Sequence, residues 1–183
     1  MRITGGTLRG RTIRPPANLP VRPTTDFAKE GLFNILNNYF DFETLTVLDL
    51  FAGAGSIGYE FISRGAVSVT SVEENYNCTA FIKKMAAELE MKNLHCIRSD
   101  VFKFIKKTTN QSDIIFADPP FELEETDLLP DLVFEQNLLK ENGWLIIEHQ
   151  SKRILKSNIQ PFEIRNYGNC AYSMYRDLNN KIG

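Results

Sequence analysis

The chain has 183 residues, 43% of them hydrophobic and 24% charged, which is the balance of one water-soluble globular domain with room for a sizeable core. No apolar run approaches the ~20 residues that cross a bilayer, and Met1-Arg2-Ile3-Thr4-Gly5-Gly6 leads into no apolar signal segment, so a cytoplasmic location is expected. Three scattered cysteines (Cys78, Cys96, Cys170) and two histidines exclude a disulfide framework and leave little material for a zinc site or an imidazole triad, so reduced thiols and no metal are expected.

In chain order, residues 1–25 read as a basic arm. They carry Arg2, Arg9, Arg11, Arg14 and Arg22 with no acid, a charge of +5 that leaves −7 on the rest of a chain whose total is −2. That asymmetry marks the arm as a candidate RNA contact, and arginine suits bidentate phosphate binding. Ile3, Leu8 and Ile13 offer material for short strands, and Pro15-Pro16 and Pro20 favour an extended connector. Thr24-Thr25-Asp26 supplies capping residues for a helix over about 26–40, with Leu32, Phe33, Leu36, Tyr39 and Phe40 on one face.

The chain then alternates. Strands are expected at 45–50, 67–73, 94–98, 113–117 and 144–148, with helices to about Arg64, over 76–91, over 101–107 and over 123–140. Such alternation predicts a parallel sheet covered on both faces. The runs 162–167 and 170–176, joined at Gly168-Asn169, predict an antiparallel hairpin at its edge, for seven strands in all.

The first strand opens into LDLFAGAGSIGYE, where Gly53, Gly55 and Gly58 satisfy G-x-G-x-x-G and Glu73 follows Gly53 by 20 residues at the next strand end. Ligands of open α/β sheets bind beyond the strands' carboxyl ends, so this loop predicts an adenosine-containing cofactor with Glu73 on its ribose. Two cofactors compete. A dinucleotide would set its pyrophosphate on the loop, where the acid at Asp49 is unfavourable; the ammonium and sulfonium of S-adenosylmethionine suit that acid. Asp100 stands where it can contact adenine or cap the next helix. With Asp118, four acids fall at or near successive strand ends, which favours the methyl donor.

The fourth strand ends in DIIFADPPFE. Two consecutive prolines stop the strand and stiffen the platform that presents Asp118 and Phe121.

These residues resemble known motifs. DLFAGAGSIG resembles motif I of class I S-adenosylmethionine-dependent methyltransferases, and DPPF resembles the [DN]-PP-[YF] motif of amino-group methyltransferases. MRITGGTLRGR, RPTTD, EGLFNIL and SRGA resemble the RsmD family of 16S ribosomal RNA (guanine-N(2)-)-methyltransferases, a similarity running from Met1 to about His149. It implies a Rossmann-like class I methyltransferase domain over 26–183 behind the arm of 1–25. It also implies a cofactor cradle of Thr24, Asp49, Phe51, Ala52, Gly53, Gly55, Glu73, Asp100, Val101 and Asp118. Catalysis is implied at Asp118, Pro119, Pro120 and Phe121, on a guanine of 16S rRNA or an assembling 30S subunit, by a monomer. Where the family pattern commonly carries basic residues after TTD, this chain has Phe27, Ala28 and Lys29. Methylation of adenine, cytosine or a glutamine amide, and a non-catalytic RNA-binding role, are the alternatives.

Overall fold

Side chains alternate across the central strands, and each set meets its own layer of helices. The computed structural model describes residues 1–21 and 25–176. Its strands are β1 (Thr46–Leu50), β2 (Ser68–Glu73), β3 (Leu94–Arg98), β4 (Ser112–Ala117), β5 (Leu139–Gln150), β6 (Glu163–Tyr167) and β7 (Cys170–Arg176). They form one sheet in the order β3-β2-β1-β4-β5-β7-β6, parallel through β5, with β7 antiparallel to both β5 and β6. The helices are α1 (Asp26–Leu36), α2 (Ser56–Ser63), α3 (Tyr76–Glu88), α4 (Val101–Ile105) and α5 (Leu129–Glu135).

Val47, Ile114, Phe116, Trp144 and Ile146 point into one apolar layer with Leu32 and Phe33 of α1, Phe61 of α2 and Ile82 of α3. Leu48, Leu50, Ile115, Ala117, Leu145 and Ile147 point the other way, onto Val101 and Ile105 of α4 and Leu129 and Val133 of α5. This is the seven-stranded, mostly parallel α/β sheet with a carboxyl-terminal antiparallel hairpin that the alternation predicts.

Two boundaries move. Helix α1 stops at Leu36, short of Phe40, and its Thr25 cap accepts the Ala28 N–H at 3.2 Å. The helix expected over 123–140 splits into a 3-10 turn (Glu124–Leu128) and α5, and β5 begins at Leu139 rather than Trp144. Asn137, at φ 51, turns the chain out of the helix. The β4–β5 register then shifts between Ser112↔Leu139 and Ile114↔Trp144. Asn142-Gly143 absorbs the irregularity: Asn142 takes φ 61, and a Cβ on Gly143 would lie 2.9 Å from the Asp113 carbonyl oxygen. Apolar periodicity misses this because Leu138 and Leu139 fit either continuation.

The first 21 residues lie against α1 and α2. Arg2 and Thr12 form an antiparallel bridge, and Ile3 and Ile13 are buried in the layer that holds α1. Glu60 of α2, fully buried, fastens this segment. It accepts the Thr4 N–H at 2.9 Å, the Thr4 hydroxyl at 2.8 Å and Arg64 Nε at 2.9 Å, while Lys29 Nζ stands 3.4 Å from its Oε2. Cys78, Cys96 and Cys170 are not joined in disulfides. No helix among the described residues is long and apolar enough to cross a membrane.

Candidate active site

The strand order reverses between β1 and β4, and a cavity of about 640 Å³ opens beyond their carboxyl ends. This is the position and the size expected of a ligand site in an open α/β sheet. After Leu50 the chain turns sharply through Phe51 at φ 58, Gly53 at φ 55 and Gly55 at φ 83 into α2. A phenylalanine in the left-handed region is uncommon and is held only where its surroundings over-determine it. Here the Ala52 N–H donates to the Val72 carbonyl at 3.1 Å and the Phe51 ring contacts Phe102. Gly58 allows α2 to approach the sheet: a Cβ there would lie 2.9 Å from Ser71 Oγ and 3.4 Å from Asp49 Oδ2.

The carboxylates differ in environment. Asp49 is 1% exposed on β1 yet reaches the cavity wall, and burial pushes its carboxyl up to about 7, against hydrogen bonds from Ser71 and the Gly58 backbone. Glu73 is fixed by two backbone donors, Gly53 N–H at 2.8 Å and Asn75 N–H at 2.7 Å. Of the adjacent acids, Glu73 is therefore the one tied to the glycine loop. Glu74 is exposed, with its carbonyl accepting from Arg98 Nε. Asp100 both lines the cavity and caps α4, accepting the Lys103 N–H at 2.8 Å.

The opposite wall is the end of β4. The Asp118 N–H donates to the Leu50 carbonyl at 3.3 Å, which ties DPPF to the strand that carries the glycine loop. Phe116, Asp118, Pro119, Pro120 and Phe121 all line the cavity, with Pro119 buried and Phe121 half-buried. Asp49, Phe51, Ala52, Gly53, Glu73, Asp100 and Val101 line it from the other side. Gly55 shapes the turn from behind, where a Cβ would meet the Tyr59 ring at 2.8 Å. Thr24 and Arg22 lie outside the described residues.

Two contributors carry no motif. Met1, Pro15, Pro20 and Val21 line the cavity, so the basic segment also walls the glycine loop; Val21 Cγ1 lies 3.4 Å from where a Gly53 Cβ would stand. Arg153, just after β5, grips the segment that follows DPPF. Its Nη1 donates to the carbonyls of Phe121 and Leu123, each at 3.0 Å, and its Nη2 meets Asp127 Oδ1 at 3.0 Å. Arg9, Arg11 and Arg14 are exposed, whereas Arg2 is paired with Asp26 and Glu30, each at 3.2 Å.

A family model described as Conserved hypothetical protein 95 matches residues 1–176. Among curated relatives, the ribosomal RNA small subunit methyltransferase D of Haemophilus influenzae is 32% identical over 97% of this chain and 94% of its own. The protein of the same name from Escherichia coli K12 is 36% identical over 81% of this chain and 71% of its own. Among solved structures, the Escherichia coli yhhF protein superposes with a TM-score of 0.80 at 31% identity, covering 96% of each chain. The structure of SMU.776 complexed with SAH reaches a TM-score of 0.58 at 19% identity over 71% of this chain and 44% of that one, a likeness of fold alone. Matched along nearly its whole length, the chain belongs to the Conserved hypothetical protein 95 family, the RsmD family that its motifs resemble.

Proposed function

We infer that this chain transfers a methyl group from S-adenosylmethionine to the exocyclic N2 amine of a guanine in 16S ribosomal RNA. The observation that carries the inference is that DPPF at the end of β4 and the acids of β1, β2 and the β3–α4 turn line one cavity. The curated relatives are named as methyltransferases of small-subunit ribosomal RNA.

The residues fit the cofactor. Asp49 is a buried carboxylate in the cavity wall, an unfavourable placement that a bound ammonium or sulfonium offsets. Glu73 is pre-positioned for ribose hydroxyls, and Asp100 with Val101 closes the adenine end. When bound, S-adenosylmethionine supplies an electrophilic methyl group on a sulfonium. A guanine amine is a poor nucleophile because its lone pair is delocalised into the ring. The Asp118 carboxylate and the Pro119 carbonyl accept hydrogen bonds from the two amino protons, turn the lone pair outward and stabilise the charge that develops on nitrogen. Phe121 offers a stacking face to the extruded base. Fixing that geometry contributes most, since orientation alone is worth up to ~7–11 kcal/mol of barrier.

Naked 16S rRNA or an assembling 30S particle is the partner, met in the cytoplasm by a monomer whose arginine arm contacts phosphate. The test is transfer of labelled methyl to 30S particles and total RNA from a strain lacking the protein, followed by nucleoside analysis. N2-methylguanosine is expected. Methyladenosine or methylcytosine would replace the target, and cofactor binding without transfer would leave a non-catalytic RNA-binding protein.

A further inference from the structure

A run of aromatic contacts leads from the cavity to the surface. Phe116, in the cavity wall, lies 6.2 Å from Tyr172 between ring centroids, Tyr172 lies 5.5 Å from Tyr167, and Tyr167 lies 5.7 Å from Phe27 with planes at 72°. The first three rings are buried or half-buried; Phe27 is 70% exposed.

The sheet register gives its place. Gln150 and Tyr167 both pair with Cys170, so the Gly168-Asn169 turn sits at the carboxyl end of the parallel strands, the end that bears Asp118. Neighbouring strands are about 4.8 Å apart and β6 is third from β4, which puts the Phe27–Tyr167 pair roughly 10–15 Å from Asp118, within a few nucleotides of a base held there.

A single exposed aromatic is ordinary, but this one is held from behind. Gly31, one turn along α1, has no side chain, and a Cβ there would stand 2.1 Å from the Tyr167 ring. The glycine therefore lets Tyr167 seat against α1 and back Phe27. The neighbouring acids are offset only in part: Asp26 and Glu30 share the guanidinium of Arg2, each at 3.2 Å, which leaves a charge of −1 among the three, so the platform works through the ring face rather than through charge.

We propose that Phe27, backed by Tyr167, is a stacking platform for an unpaired rRNA base flanking the target guanine. A ring face accepts any base, so the platform adds affinity and register without reading sequence, while DPPF selects the amine. The proposal rests on ribosomal RNA being the substrate.

Phe27→Ala should raise KM for undermethylated 30S particles by about five- to a hundredfold, the loss of one base–aromatic stack. Its kcat and S-adenosylmethionine affinity should stay at the wild-type level, and Phe27→Trp should restore KM. Benzoylphenylalanine placed at position 27 should photo-crosslink to nucleotides close to the methylated guanine. An unchanged KM in Phe27→Ala, or crosslinks confined to a ribosomal protein, would overturn the platform. If the wild-type protein binds particles but transfers no methyl, the functional reading fails, while the crosslink still decides what Phe27 touches.

Discussion

Lys29 and Glu60 form a salt bridge at 3.4 Å with side chains 1% and 0% exposed, and this pair joins α1 to α2 beneath the amino-terminal segment. Lys29 Nζ also donates to the Arg2 carbonyl, and burial holds its ammonium below the usual lysine range, against the pull of Glu60. Removing one partner leaves the other charge buried alone, which typically costs ~3–5 kcal/mol. Glu60→Ala should lose about that much in urea denaturation and expose the first residues. The Ile3 amide, bonded to the Arg11 carbonyl at 2.9 Å, should exchange hydrogen faster. Replacing both residues, as Lys29→Met with Glu60→Leu, should recover only the part due to the lone Lys29 ammonium, because Thr4 and Arg64 still lose their acceptor. Unaltered exchange at Ile3 in Glu60→Ala would mean that the segment is held by Ile3 and Ile13 alone.

If Asp49 meets the cofactor's cation as proposed, cofactor binding should depend on pH. Its carboxyl is raised from 3.8 to about 7, so near neutrality a fraction is protonated, and only the carboxylate attracts a cation. S-Adenosylmethionine affinity, measured by calorimetry, should fall about tenfold per pH unit below 7 and level off above it. For the unliganded chain the sign is opposite. A raised carboxyl pKa favours folding at low pH, so this group's contribution is full below about 4 and is lost as pH rises through about 7. Asp49→Asn should remove both dependences and weaken cofactor binding.

Asp118 and Asp49 line one cavity, and the proposed function gives them different duties that substitution should separate. Asp118→Ala should abolish methyl transfer to 30S particles while S-adenosylmethionine affinity stays within several-fold of wild type. Equal loss of both would place Asp118 on the cofactor rather than on the substrate amine.

The sequence showed what is local and periodic. LTVLDL and DIIFA alternate between two faces, and Gly53, Gly55 and Asp118 sit at strand ends where only turn chemistry fits. The β5 start stayed hidden because Asn137 and Asn142 leave the helix and take up the bulge through left-handed backbone, which no apolar pattern records. Nothing local in the sequence marks Lys29 and Glu60 as buried; they become so because the amino-terminal segment covers them. Met1, Pro20 and Val21 reach the cavity because that segment folds back over the glycine loop, a long-range event with no local signature. Phe27 was visible as a departure from the family's basic pattern, but Tyr167, which backs it, lies 140 positions away.

Arg153 holds the chain that follows the DPPF motif. One guanidinium fork fixes the carbonyls of Phe121 and Leu123 and the carboxylate of Asp127, so the chain after DPPF is set by β5 as well as β4. Lysine has no fork and cannot satisfy these acceptors together. Arg153→Lys and Arg153→Ala should both lower kcat/KM for RNA, by up to ~100-fold if Phe121 shifts by about 1 Å. Cofactor affinity should hold, because the Arg153 hydrogen bonds among the described residues go to the 121–127 segment and not to the glycine loop. A parallel fall in cofactor affinity would show a general loss of the sheet edge instead.

The arm's arginines should differ in their effect on RNA binding. Arg9, Arg11 and Arg14 are exposed, while Arg2 is shared between Asp26 and Glu30. Each phosphate contact adds about 0.7–0.9 to the slope of log affinity against log salt. Replacing Arg9, Arg11 and Arg14 with alanine should therefore flatten that slope by about 2–3 and weaken binding to 30S particles at low salt most of all. Arg2→Ala should change the slope by less than one contact, since its charge is already met, and should instead free Asp26 and Glu30 beside Phe27. A triple variant with an unchanged slope would move the phosphate contacts off the arm and onto the rim of the cavity.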